Sequence, residues 1–184
     1  MRTAVFIDGG YLTKVLRHNF NSARIDYHAF ARWAASDDLL RTYYYDCLPW
    51  QSPEPTSEEQ QRFGNTQRFF ASLRAGERMT VREGRLERRT VAGGSSYFVQ
   101  KRVDLQIGLD IATLIAKGKV ATIVLVAGDS DLLPAVEHAK HEGVIVRLVH
   151  GPYSTYHLDL WQAADERIEI DMSIIEKTRL GATP

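Results

Sequence analysis

Two short apolar runs in this sequence end in the same way. Residues 4–7 (AVFI) lead into Asp8-Gly9-Gly10, and residues 121–127 (ATIVLVA) lead into Gly128-Asp129-Ser130-Asp131. Continuous apolar runs of this length read as strands buried on both faces. A helical pattern follows each one. After the first it runs through Leu12, Val15 and Leu16; after the second it covers 132–142, with Gly143 as the stop signal. Buried strands that alternate with helices fold into a mainly parallel sheet covered on both sides. The expected fold is α/β, three layers deep.

The remaining segments fit that plan. Helices are predicted over 26–35, 58–75, 103–117, 154–164 and 173–179. Strands are predicted over 39–48, 144–149 and 167–170. Residues 79–91 (MTVREGRLERRTV) read as a basic hairpin turning at Glu83-Gly84, followed by a flexible AGGSS at 92–96. No second core is visible. The 184 residues are therefore read as one domain, 1–184, with a hairpin-bearing insertion over about 50–98.

Composition removes several classes. Acids and bases balance at 23 each, so any nucleic-acid argument must rest on local clusters. A single cysteine, Cys47, allows no disulfide within the chain and no Cys-based zinc site. The N-terminus meets an aspartate too soon for a signal peptide, and no apolar run approaches membrane length. A soluble cytoplasmic protein without membrane contact is expected.

The aspartates at 129 and 131 admit two readings. One is a helix N-cap, which needs one side-chain oxygen. The other is a metal or phosphate site at the carboxyl end of a parallel strand. Asp8 weights the second. If the two strands are neighbours, their Cα atoms lie about 5 Å apart across the sheet. Carboxylates that close repel until one takes up a proton or a cation intervenes. A hard divalent ion, Mg²⁺ or Mn²⁺, suits such oxygen ligands. Asp104, near the start of the helix after Lys101-Arg102, is a third candidate, although an acid there also suits the helix dipole. Asp110 lies about 240° further round that helix and is read as a supporting acid.

The stretches VFIDGGYL (5–12), KRVDLQIGLD (101–110) and VLVAGDSDLLPAV (124–136) together resemble the NYN domain family in its LabA-like branch. LDLWQAADERIEI (158–170) resembles the family's closing helix and strand. The resemblance implies a PIN-like fold and a metal-dependent ribonuclease site at Asp8, Asp104, Asp129 and Asp131, with Lys101, Ser130 and Asp110 in support. Many family members carry Asn three residues after the first aspartate, where this chain has Tyr11. GDSDLLPAV also resembles the last motif of HAD-type phosphatases, but those enzymes need a second acid where this chain has Gly10.

The expected chemistry is hydrolysis of RNA phosphodiester bonds, with Asp8 and Asp129 on the principal ion. Asp104 completes that site or holds a second ion, and Asp131 ligates or orients water. Ten Arg or Lys and three Glu fall between Arg62 and Arg102. Within that stretch Arg82, Arg85, Arg88, Arg89, Lys101 and Arg102 are the expected RNA contacts. Tyr97 and Phe98 are weighed as base-stacking residues against a bland role as core. The alternative function is an RNA- or protein-binding regulatory module that keeps the acidic pocket without turnover. The hairpin edge or the aromatic strand 39–48 offers a surface for a homodimer.

Overall fold

A computed structural model describes residues 2–36, 38–90 and 96–181; side chains at 87–90, 96 and 99–101 lie outside the description. The elements in chain order are β1 (Arg2–Asp8), α1 (Gly9–Asn19), α2 (Tyr27–Ala35), β2 (Asp38–Cys47), α3 (Ser57–Ala75), β3 (Met79–Thr90) and β4 (Ser96–Lys101). There follow α4 (Val103–Ala116), β5 (Thr122–Val126), a 3-10 turn (Ser130–Leu132), α5 (Leu133–His141), β6 (Ile145–His150), α6 (Leu158–Ala163), β7 (Glu166–Glu169) and α7 (Met172–Lys177).

The strands form one sheet in the order β4-β3-β2-β1-β5-β6-β7. Every neighbouring pair is parallel except β3 with β4. From β1 the chain builds outward through β2 and β3, then returns past β1 to build β5, β6 and β7 on its other side. The reversal falls between β1 and β5, where Ile7 pairs with Val126. In open parallel sheets, ligands bind at the carboxyl ends of the strands at such a switch point.

Strand alternation divides the apolar residues between two cores. Val5, Ile7, Val124 and Val126 face one core, with Leu12 and Val15 of α1, Phe30 of α2, Phe70 of α3 and Ile174 of α7. Ala4, Phe6, Ile123 and Leu125 face the other, with Ile107 and Ile111 of α4, Val136 of α5 and Leu160 of α6. Both halves of each strand are buried, which explains their unbroken apolar sequence. Tyr44 and Tyr45, adjacent in β2, are buried in opposite cores. The three-layer, mainly parallel fold expected from the sequence is the one observed.

Residues 79–91 are not a hairpin turning at Glu83-Gly84. β3 runs straight through that pair, because Glu83 and Gly84 are held by the parallel ladder to Asp46 and Cys47. The antiparallel partner is β4, in which Lys101 pairs with Arg85 and Ser96 with Thr90. The intervening AGGSS overlaps residues outside the description. Within the segment 50–98, α3 leads into β3, whose first half extends the parallel sheet beside β2. Beyond Gly84, β3 pairs with β4 and leaves β2 behind. This two-stranded ribbon, about 20 Å long by strand rise, extends past the carboxyl edge of the sheet. The predicted helix over 154–164 is shorter than expected. His157 donates its backbone N–H to the Gly128 carbonyl at 2.8 Å, and α6 begins only after that tie.

Candidate active site

Asp8 closes β1 and caps α1, its Oδ1 accepting the Tyr11 backbone N–H at 3.0 Å. Asp129 lies three residues past the end of β5 and caps the 3-10 turn, accepting the Asp131 N–H at 3.0 Å. Asp129 therefore is the cap that the simplest reading suggests, and Asp8 is a cap as well. A cap occupies one lone-pair direction of one oxygen, and an ionised carboxylate has about four acceptor sites. Capping fixes the rotamer and leaves further acceptor capacity.

Asp104 stands in the first turn of α4. It joins the strand-end acids electrostatically. Burial pushes the Asp8 carboxyl up from an ordinary 3.8 to about 6; the Tyr11 N–H pulls the other way, and the charges of Asp104 and Asp46 add to the rise. Asp104 is raised as well, first by burial and then by Asp129 and Asp131. The charge of Asp104 is thus felt by Asp8, and those of Asp129 and Asp131 by Asp104. The leading charge neighbours of Asp8 are Asp104 and Asp46.

Asp46 was missed by the sequence reading. It sits at the carboxyl end of β2, one strand over from Asp8. The Tyr44 hydroxyl donates to its Oδ2 at 3.0 Å, and the Cys47 N–H to its Oδ1 at 2.7 Å. The signal was present: the run RTYYYD leads to an acid as AVFID does. Gly9 makes room for this pair, since a Cβ there would lie 2.3 Å from the Tyr44 hydroxyl and 2.9 Å from Asp46 Oδ2.

Asp110 is occupied elsewhere. Arg82 reaches it with Nε to Oδ2 and Nη2 to Oδ1, both at 3.0 Å, and the buried Tyr45 hydroxyl donates to Oδ2 at 2.9 Å. Arg85 and Arg102 are exposed, whereas the side chains of Arg88, Arg89 and Lys101 lie outside the description. Ser130 is half-buried between the two aspartates of the turn. Tyr11 points away from the acids. Its hydroxyl accepts the Gly151 N–H at 2.9 Å and meets Thr155 Oγ1 at 3.2 Å. Its ring lies over Gly128, where a Cβ would come within 2.4 Å of it. Tyr11 thereby clamps the β6–α6 loop onto the switch point.

The family model for the NYN domain matches residues 2–171. The chain belongs to the NYN domain family. The NYN domain is a PIN-like, nuclease-type domain, and this family binds RNA. The fold is also similar to the crystal structure of a protein of unknown function from Vibrio parahaemolyticus, at 20% identity and a TM-score of 0.61. That match covers 97% of this chain and 96% of the other. Comparison with curated proteins gives no match.

The candidate donors at this sheet edge are all carboxylates, a donor set that suits a hard divalent cation. Among the described residues, no three acidic, histidine or cysteine side chains converge as a ready-made cage. Mg²⁺ is commonly held by one or two carboxylates while keeping several waters, so the open arrangement fits that kind of ion. No helix among the described residues is long and apolar enough to cross a membrane.

Proposed function

We propose that this NYN domain, of the LabA-like branch, is a metal-dependent endoribonuclease. The observation that supports the reading is that the neighbouring strands β1 and β5 lead into Asp8 and Asp129 at the same sheet edge, while Asp104 adds to the rise of Asp8 and is itself raised by Asp129 and Asp131. Such a site gains from a divalent cation what it lacks in countercharge. Mg²⁺ or Mn²⁺ held there would neutralise the phosphate and acidify an attacking water.

The residues of the chain divide the remaining work. Asp8 and Asp129, fixed by their caps, present carboxylate oxygens toward the switch-point crevice. Asp104 links them, and exposed Asp131 is placed to orient water. Ser130 spaces the two acids of the turn. Arg85 on β3 and Arg102 before α4 are exposed and attract the RNA backbone, together with Arg88, Arg89 and Lys101; Arg82 has its charge matched by Asp110. Water attack on phosphorus leaves a 5′-phosphate and a 3′-hydroxyl.

One observation favours a second reading, a non-cleaving RNA-binding module: Tyr11, where an amide is common in the family, is committed to Gly151 and Thr155. The deciding experiment is a cleavage assay on end-labelled single-stranded and structured RNA with Mn²⁺, Mg²⁺ or EDTA, against Asp8→Asn/Asp129→Asn. Metal-dependent cutting lost in the variant supports the nuclease. A folded wild type that binds RNA and cuts none under any metal leaves the binding module.

A further inference from the structure

Trp50 and Phe98 form an aromatic pair outside both cores. Their ring centroids are 5.7 Å apart with the planes tilted by 41°. Phe98 remains 51% exposed although it has this partner. Half of the ring surface is therefore open to a ligand, and the pair belongs to neither core.

The position of the pair is set by the topology. Trp50 follows Asp46 by four residues, so their Cα atoms are at most about 14 Å apart. Phe98 precedes Asp104 by six residues, a reach of at most about 22 Å. The β3–β4 ribbon that carries Phe98 extends past the same sheet edge as the acids. Register places Gln100 opposite Leu86, and Leu86 packs against the α4-side core. Phe98, two residues from Gln100, lies on that same side by alternation. This is the side on which α4 presents Asp104. The exposed Arg102 stands at the junction between the ribbon that carries Phe98 and the helix that carries Asp104.

Aromatic rings beside cationic groups make a stacking platform for unpaired bases, because every base has a π-face. Bases within a duplex are already stacked and do not present that face. We propose that Trp50 and Phe98 stack an unpaired base of single-stranded RNA next to the phosphate held at the aspartate cluster. The proposal rests on the ribonuclease reading for the identity of that phosphate, and it specifies the substrate as a single strand.

The test is equilibrium binding of fluorescein-labelled oligoadenylate, with Ca²⁺ in place of Mg²⁺, to wild type, Trp50→Ala, Phe98→Ala and Phe98→Tyr. An oligomer of the same length with abasic sugars runs in parallel. The expected result is an affinity loss of about 10-fold for each alanine variant on oligoadenylate. Phe98→Tyr should bind as wild type does, and the abasic strand should bind all four proteins equally. Equal losses on both strands would overturn the platform, since they would report charge or folding rather than stacking. Unchanged binding by the alanine variants would overturn it while leaving the nuclease reading intact. Failure of wild type to bind either strand would remove both.

Discussion

Tyr44 donates its buried hydroxyl to Asp46 at 3.0 Å, and the carboxylate held in this way is one of the charges that raise Asp8. The relationship joins two strands: β2 supplies the pair and β1 the acid that feels it. Asp46→Asn keeps the hydrogen-bonding shape and deletes the charge. It should lower the Asp8 carboxyl below about 6, with a smaller effect than Asp104→Asn, because Asp104 contributes more. Carboxyl NMR titration of Asp8 in the three proteins checks both the direction and the order.

The raised Asp8 also fixes how stability responds to pH. A carboxyl with a folded pKa above its unfolded value binds more protons in the folded chain between the two values. Its contribution is fully present below about pH 4, is lost as pH rises toward about 6, and is level beyond that. Asp104 is shifted in the same direction. Asp8→Asn keeps a cap acceptor for the Tyr11 N–H and carries no charge, so above pH 6 the metal-free variant should be the more stable. The gain is on the order of 2–3 kcal/mol at most. Urea unfolding of wild type and variant between pH 4 and 7 should show a difference that grows through the window; a constant difference would refute the account. Cation affinity should run oppositely, rising through pH 6 as Asp8 ionises.

The two roles of Asp129, cap and acid, can be separated by two substitutions. Asp129→Asn retains an oxygen for the Asp131 N–H and should melt close to wild type. Asp129→Ala removes the acceptor and should cost about 1 kcal/mol. Metal-dependent cleavage should be lost in both. If Asp129→Asn cleaves RNA normally, the carboxylate is a cap and nothing more.

How much of this was legible beforehand follows from what each residue obeys. The strands of the central sheet could be read because burial on both faces leaves unbroken apolar runs. Asp8, Asp104 and Asp129 could be found because strand order and helix starts are local signals. β3 was misread because Glu83-Gly84 is a strong turn signal, and only the parallel ladder to Asp46 and Cys47, distant in sequence, overrides it. Asp46 was missed for a related reason: its proximity to Asp8 depends on β1 and β2 being neighbours. Whether Asp110 faced the acids or Arg82 depended likewise on a contact across 28 residues.

The clamp at the switch point gives a further prediction. A methyl at Gly128 would meet the Tyr11 ring at 2.4 Å and the Thr155 backbone carbonyl at 2.6 Å. The ring has some freedom to yield and the backbone has little. Gly128→Ala should therefore destabilise by about 1–3 kcal/mol and loosen the loop over 151–157. Tyr11→Phe should cost about 1–2 kcal/mol, because the Gly151 N–H loses its hydroxyl partner. Thermal melts give the magnitudes. Hydrogen exchange at Gly151, faster in both variants, would locate the effect at the clamp.

Arg82 and Arg85 stand three residues apart on β3 and should behave differently. The side chain of Arg82 is 45% exposed, while that of its partner Asp110 is only 18% exposed. Arg82→Ala removes the fork from Asp110 and leaves a mostly buried carboxylate, still facing the Tyr45 hydroxyl, without its cation. The expected cost is about 1–3 kcal/mol of stability, with little change in the salt dependence of RNA binding. Arg85 is exposed on the ribbon, and Arg85→Ala should leave stability within about 0.5 kcal/mol. If Arg85 meets a phosphate, its removal should lower the slope of log affinity against log salt by about one. An unchanged slope for Arg85→Ala would take this part of the ribbon out of the RNA path. A reduced slope for Arg82→Ala would show that its guanidinium serves the backbone as well as Asp110.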